Sequence, residues 1–203
     1  DQDLVNITMK WNLNDVTKSG FGKLLKPFES STEDIIKTTR AFGTAIKAHA
    51  GQFGEENKVE PYINHPLRVA LILTEELHRC DIDLICAALL HDTIEKGGSN
   101  ASVSEDILRK EFGENVYNIV HAVTKPKDKL LKEYFQNITR GSQAIRYVKL
   151  ADQLDNIRSL KKSVHKDKIM RYKEETQKYV IPIAQQTDEK LVFKLSVALY
   201  ELK

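Results

Sequence analysis

Leu84-Ile85-Cys86-Ala87-Ala88-Leu89-Leu90-His91-Asp92 is the stretch on which the fold turns. Seven consecutive apolar residues end on an imidazole and a carboxylate. Asp81 and Asp83 stand before the run as candidate N-caps and Gly97-Gly98 follow as a terminator, so the spacing predicts a helix reaching about Lys96. A helix this apolar belongs in a core, and it carries two polar groups in with it.

Two more such groups lie far away in sequence. His65 stands 26 residues upstream of His91 in Tyr62-Ile63-Asn64-His65-Pro66, and Asp152 stands 60 residues beyond Asp92 in Lys149-Leu150-Ala151-Asp152. All four are at or near helical, otherwise apolar segments. Burying them without partners would cost several kcal/mol each, and a divalent metal is the expected partner.

The rest of the chain also reads as helices. Ser31-Thr32-Glu33-Asp34 gives an N-cap and an acidic first turn, followed by a stripe of Ile35, Thr39, Phe42, Ile46 and His49. A polar loop runs from Gly51 to Pro61. A second helix is expected to open on His65 with Pro66 at its first position, facing the core with Leu67, Ala70, Leu71 and Leu77. Ser102 and Glu105 have capping-box spacing ahead of Ile107, Leu108 and Phe112. Gly113 breaks that run, and Val116, Ile119, Val120 and Val123 continue it. Beyond a basic loop at 125–129, Ile145 to Leu160 is periodic, and two further helices are expected over 166–186 and 188–202. No segment alternates as a strand should. The expected fold class is therefore all-α, with residues 1–30 as an arm or capping segment and 31–203 as one domain.

Composition narrows the function. A chain of 203 residues has room for one sizeable domain, and a formal net charge of +2 creates no field that would draw it to nucleic acid or an anionic membrane. No apolar stretch approaches the ~18 residues of a membrane span. Cys80 and Cys86, six residues apart, suit neither a zinc site nor a disulfide framework and are expected as thiols, Cys86 in the core. The expectation is a cytoplasmic protein. The acceptor-like triplets at Asn6, Asn100 and Asn137 leave export open, although such a short pattern often arises by chance. The chain starts at Asp1 and is expected to be trimmed or processed. Oligomeric state is not readable from sequence.

Imidazole nitrogen with carboxylate oxygen suits Mn²⁺, Fe²⁺ or Zn²⁺ better than Ca²⁺ or a thiolate-selected metal. Two His and two Asp leave positions open on a six-coordinate ion, as hydrolysis requires. The spacing is looser than a zinc signature, so on spacing alone a satisfied structural cluster stays an equal alternative.

Four ordered motifs sharpen the choice: Ala48-His49-Ala50-Gly51-Gln52; Glu60-Pro61-Tyr62-Ile63-Asn64-His65-Pro66; Ala87-Ala88-Leu89-Leu90-His91-Asp92-Thr93-Ile94-Glu95; and Lys149-Leu150-Ala151-Asp152 leading to Asn156 and Arg158. From about Thr32 to Leu160 the chain resembles the HD-type hydrolase domain of RelA/SpoT homologues, most closely the stand-alone small alarmone hydrolases of the Mesh type. The resemblance implies a helical HD bundle, one Mn²⁺ (Fe²⁺ or Zn²⁺ as alternatives), and hydrolysis of the 3′-pyrophosphate of (p)ppGpp to GDP or GTP and pyrophosphate. It implies His65, His91, Asp92 and Asp152 as metal ligands, Glu95 as the acid that works on the attacking water, Asn156 as a substrate contact and Arg158 as either structural or a support behind the site. His49 matches the family's first histidine, either a core residue or on the substrate side. The loop lysines Lys125, Lys127, Lys129 and Lys132, Lys125 first among them, are in a position to reach a polyphosphate or form a solvated face.

Three departures from the pattern bear on function. Lys96 replaces the second acid of the Glu-Asp pair, either to neutralise the leaving pyrophosphate or simply to point into solvent. Phe53-Gly54-Glu55-Glu56 replaces basic residues that include an arginine lying against guanine; Phe53 could stack on a base or belong to the core. Asp155 adds an acid that would repel phosphates unless it faces away or pairs with a lysine. The readings that follow are a (p)ppGpp hydrolase, an HD phosphohydrolase of another nucleotide or pyrophosphate ester, and a nucleotide-binding regulatory module with a degenerate site. In each the partner is a small nucleotide, with neither nucleic acid nor membrane. The chain is expected to be either stand-alone or a fragment of something longer.

Overall fold

A computed structural model describes residues 13–56, 59–96, 103–127 and 130–202. The triplets at Asn6 and Asn100, Ser102, Gly97-Gly98 and Lys129 fall outside these residues. The described residues form helices only, with one isolated bridge between Phe53 and Pro61. Among the described residues the protein is all-α, as the periodicity required.

Helix α1 (Asp15–Leu25) is capped by Asn14, and a 3₁₀ turn, Lys26–Phe28, follows it. Helix α2 (Thr32–Ala48) is capped by Ser31, whose hydroxyl accepts from Asp34 N–H. Helix α3 (Asn64–Leu71) runs into a π-helical stretch, Ile72–Glu76, and helix α4 (Ile82–Leu90) is capped by Asp81. Next come α5 (Glu105–Phe112), α6 (Glu114–Val123), α7 (Leu131–Arg140) and the long α8 (Gln143–Leu160). Helix α9 (Lys166–Glu175) passes through a π-helical stretch, Thr176–Val180, into α10 (Ile181–Gln185), and α11 (Glu189–Tyr200) closes the chain.

Helix α4 is the hub. Its residues Leu84 to Leu90 are all buried, and it packs against α2, α3, α6 and α8. Each Leu or Ile buried there contributes about 1.5–3 kcal/mol relative to exposure. Helix α8 is buried nearly all round because α3, α6 and α11 surround it, as expected for a helix without one apolar stripe.

Several boundaries differ from expectation. Helix α4 stops at Leu90, so His91 to Lys96 are turns. Side chains end it: His91 Nδ1–H donates to Ala88 O at 2.7 Å, and Thr93 Oγ1 donates to Leu90 O at 2.7 Å. These bonds satisfy carbonyls that another helical turn would have used. Helix α3 begins at Asn64, which puts Pro66 third rather than first, still in the turn where an N–H is dispensable. Ser104, not Ser102, caps α5, while Glu105 instead accepts from Tyr117 OH at 3.0 Å. Within the stretch read as an arm or cap, 15–28 is helical and buries Phe21, Leu24 and Phe28 in the core. Helix α7 went unread, although Leu131, Tyr134, Phe135 and Ile138 have helical spacing and all but Leu131 are buried.

Candidate active site

His65 comes from the first turn of α3, His91 and Asp92 from the turn that ends α4, and Asp152 from mid-α8. Packing of α3, α4 and α8 brings the four to one point. They are 7%, 4%, 5% and 7% exposed. His65 Nε2 is 3.2 Å from Asp152 Oδ1 and 3.6 Å from Asp92 Oδ2, while His91 Nε2 is 3.3 Å from Asp92 Oδ2 and 3.6 Å from Asp152 Oδ1. Both Nε2 atoms are buried and neither makes a hydrogen bond. Among the described residues His65, His91 and Asp152 form a group whose ligand atoms fit around one ion, and Asp92 Oδ2 faces the same two nitrogens.

Two unbonded imidazole nitrogens confronting two carboxylates have the donor set of a divalent cation site. The tautomers agree. His91 Nδ1 is committed to the Ala88 carbonyl and His65 Nδ1 to Asp155 Oδ2 at 2.8 Å. Both partners only accept, so both rings carry the proton on Nδ1 and offer Nε2 to the centre.

The groups of the cluster also shift one another's protonation. Burial alone would lower the His91 pKa, but the Asp92 and Asp152 carboxylates outweigh it and raise it to about 10. Burial would raise Asp92, yet the His91 charge beside it holds it well below the usual range. Asp152 is likewise held low against burial, chiefly by Lys149, whose Nζ reaches Asp152 Oδ2 at 2.8 Å. Asn156 Nδ2 donates to Asp152 Oδ1 at 2.7 Å.

Lys96 does not turn away into solvent. Its Nζ lies 3.1 Å from Asp92 Oδ2 and 3.0 Å from Tyr62 OH, and Tyr62 in turn donates to Asp92 Oδ2. The i,i+4 spacing from Asp92 makes the return possible. His49 is buried one layer out. Its Nδ1–H donates to Gln52 Oε1 at 2.9 Å, Gln52 Nε2 donates to Lys96 O at 2.8 Å, and its ring centroid is 4.7 Å from that of Tyr62. Burial lowers its pKa, so the ring is neutral. Glu95 is exposed, and its Oε2 accepts from Lys125 N–H at 2.9 Å. Lys125 thus enters through its backbone. Arg158 forks onto Glu76 at 2.7 and 3.1 Å, a structural contact.

A cavity of about 460 Å³ opens beside the cluster, lined by Tyr62, His65, Lys96 and Asn156 and, from other segments, by Glu55, Glu56 and Lys168. His49, Glu95 and Lys125 do not line it. Phe53 is 54% exposed, which removes the core reading. Asp155 is buried in the wall of the cavity and accepts from Arg68 Nε at 2.8 Å as well as from His65, so both its oxygens are paired and its charge is matched.

Sequence reasoning missed Tyr62, Arg68 and Lys149 as partners of the cluster and misjudged Asp155. The spacing held a signal for three of them. Arg68 is three residues after His65, Lys149 three before Asp152 and Asp155 three after it, so each pair shares a helix face.

Comparison with known proteins identifies the family. A family profile described as HD domain matches residues 41–188. Guanosine-3′,5′-bis(diphosphate) 3′-pyrophosphohydrolase MESH1 of Xenopus tropicalis is 37% identical over 135 residues, covering 64% of this chain and 73% of that protein. The bifunctional (p)ppGpp synthase/hydrolase SpoT of Escherichia coli is 36% identical over 163 residues, 75% of this chain and 22% of its own length. A solved structure of a metazoan ortholog of SpoT that hydrolyzes ppGpp superposes with a TM-score of 0.72 at 26% identity, over 81% of this chain and 94% of that one.

Proposed function

Since the chain belongs to the HD-domain family, we propose that this hydrolase removes the 3′-pyrophosphate of guanosine 3′,5′-bis(diphosphate) and its 5′-triphosphate counterpart, with one Mn²⁺ held by His65, His91, Asp92 and Asp152. The observation that carries this reading is the pair of buried, unbonded Nε2 atoms facing two carboxylates beside a nucleotide-sized cavity. The names of the relatives supply the substrate. Fe²⁺ and Zn²⁺ share the ligand preference and are the alternatives. A bound divalent ion supplies Lewis acidity, which makes water a usable nucleophile near neutral pH and offsets charge on the phosphoryl group.

The chain's own residues do the rest. Glu95 is fixed by the Lys125 N–H outside the lining of the cavity, and the resemblance assigns it the proton of the attacking water. The water oxygen bonds to the phosphorus attached to O3′, and the P–O3′ bond breaks. The 3′-oxygen keeps the bonding pair and takes up a proton from solvent, while pyrophosphate departs. Lys96, which lines the cavity, balances the departing charge, and its raised pKa keeps it cationic: burial would lower it, but Asp92 outweighs burial. Asn156 and Lys149 keep Asp152 aimed at the centre.

The test is a nucleotide panel, each incubated with Mn²⁺-loaded protein and assayed for released pyrophosphate. Preferential release from ppGpp is expected. A second reading, an HD phosphohydrolase of another nucleotide, is favoured by Gly54, Glu55 and Glu56 lining the cavity in place of the arginine expected against guanine; faster turnover of a nucleotide without guanine would select it. The degenerate-site reading draws on Lys96 alone now that Asp155 is paired, and hydrolysis abolished by His91→Ala would remove it.

A further inference from the structure

His65 and His91 are oriented in different ways. His91 leans on the carbonyl of Ala88, which no side-chain substitution can remove. His65 leans on a side chain, the Asp155 carboxylate, and that residue stands at a departure from the family pattern. Both Asp155 oxygens are occupied, Oδ2 by His65 Nδ1 and Oδ1 by Arg68 Nε, each at 2.8 Å. The support extends outward. Arg68 Nη1 donates to Glu60 Oε1, Asn64 Nδ2 reaches the same oxygen at 3.1 Å, and Thr17 of α1 lies 2.6 Å from Asn64 Oδ1. A buried carboxylate is thus tied on one side to a candidate ligand and on the other to a network ending on α1.

We propose that Asp155 is a positioning residue for the metal site: it fixes His65 with the proton on Nδ1 and Nε2 aimed at the cation, and Arg68 holds Asp155 in place for this. The inference rests on the metal reading above. A carboxylate on the far nitrogen both orients a ligating imidazole and raises its basicity, and removing such a partner typically weakens metal binding by about 10–100-fold. Arg68 also answers the objection to an acid in a phosphate site, because both Asp155 oxygens are satisfied before substrate arrives.

The variant that tests this is Asp155→Asn, which keeps the shape but offers one acceptor and one donor. Whichever way the amide turns, either His65 Nδ1–H or Arg68 Nε–H loses its acceptor. Calorimetric titration of Mn²⁺ into stripped protein should give one site in the wild type and binding weaker by about 10–100-fold in the variant, with the metal-free variant folded by circular dichroism. Folded variant protein binding Mn²⁺ within twofold of wild type overturns the proposal. A wild type that takes up none of Mn²⁺, Fe²⁺ or Zn²⁺ overturns the metal reading and this role with it, and shows itself before any variant is made. Should the variant not fold, ¹⁵N spectra of the zinc-loaded wild type decide. His65 protonated on Nδ1 and metallated on Nε2 supports the proposal, and the reverse arrangement overturns it.

Discussion

The floor of the pocket and its rim are built differently. At the floor, His65 lines the pocket and His91, Asp92 and Asp152 stand behind it, all four almost entirely buried, and the outward atoms of His65, His91 and Asp152 are bonded to Asp155, Ala88 O and Lys149. At the rim, Lys168 of α9 reaches Glu55 at 2.6 Å and Glu56 at 2.5 Å, and Phe53 projects outward. The floor is specified by helices that must pack to bury their apolar faces, so its geometry follows from the core. The rim is specified by a few charges, Glu55 exposed and Glu56 and Lys168 partly covered, which sequence can vary at less cost than the core. In an enzyme built this way the chemistry resides in the floor and substrate choice in the rim.

That contrast sets the scale of expected effects, and the largest belongs to the floor. Asp152→Ala should abolish metal binding and lower kcat/KM by about 10³-fold or more, because the Lewis acid supplies several kcal/mol. It should also destabilise the fold by about 3–5 kcal/mol by stranding the Lys149 ammonium, whose only side-chain acceptor among the described hydrogen bonds is Asp152. Asp152→Asn separates the two losses. Metal content by elemental analysis and a urea melt of each variant check them, and a metal-replete Asp152→Ala would break the floor–rim distinction.

Next comes Glu95, between the two regions: exposed, yet fixed by a backbone N–H. Glu95→Gln keeps an oxygen for Lys125 N–H and removes the base, so kcat should fall about 10²–10⁴-fold with metal content unchanged. Wild-type turnover by this variant would move the proton transfer elsewhere. Lys96 should matter less. Lys96→Met should lower kcat about 10-fold, as for loss of one charge-assisted contact to a transition state, without loss of Mn²⁺, since the ammonium now on Asp92 competes with a cation. Single-turnover pyrophosphate release measures the first and calorimetry the second.

How much of this was legible follows the same division. His65, His91, Asp92 and Asp152 were readable because polar groups inside apolar helical runs demand a common partner, and α4 with its seven buried residues fixed the fold class. The end of α4 was not readable. Gly97-Gly98 suggested a late stop, whereas His91 and Thr93 turned back onto carbonyls at once, and side-chain competition for backbone acceptors has no periodicity to betray it. Lys96 at a helix end looked solvated because the buried carboxylate that recruits it lies in the same unforeseen turn. Asp155 looked like a liability because its partners, His65 and Arg68, lie on another helix.

The smallest effect is expected at the rim, where pH sharpens the comparison. The Lys168 ammonium hydrogen-bonded to Glu55 holds that carboxyl below the usual range. Burial would raise Glu56, but Lys168 outweighs it and Glu56 also lies low. A depressed folded-state pKa means that the pair's stabilisation is complete above the ordinary glutamate value, about 4.3, and is lost as pH falls through the lower folded value. Between pH 5 and 9 the rim should therefore stay closed, and Lys168→Ala should cost about 1 kcal/mol or less, as for partly exposed ion pairs. With the loop released, KM should rise a few-fold while kcat holds, because nothing at the floor has moved. Steady-state kinetics at pH 7 in low and high salt check this: screening should weaken the wild-type pair and narrow its KM advantage over the variant. A fall in kcat equal to the rise in KM would mean that the loop positions the reacting phosphoryl group, and the rim would then share in the chemistry assigned to the floor.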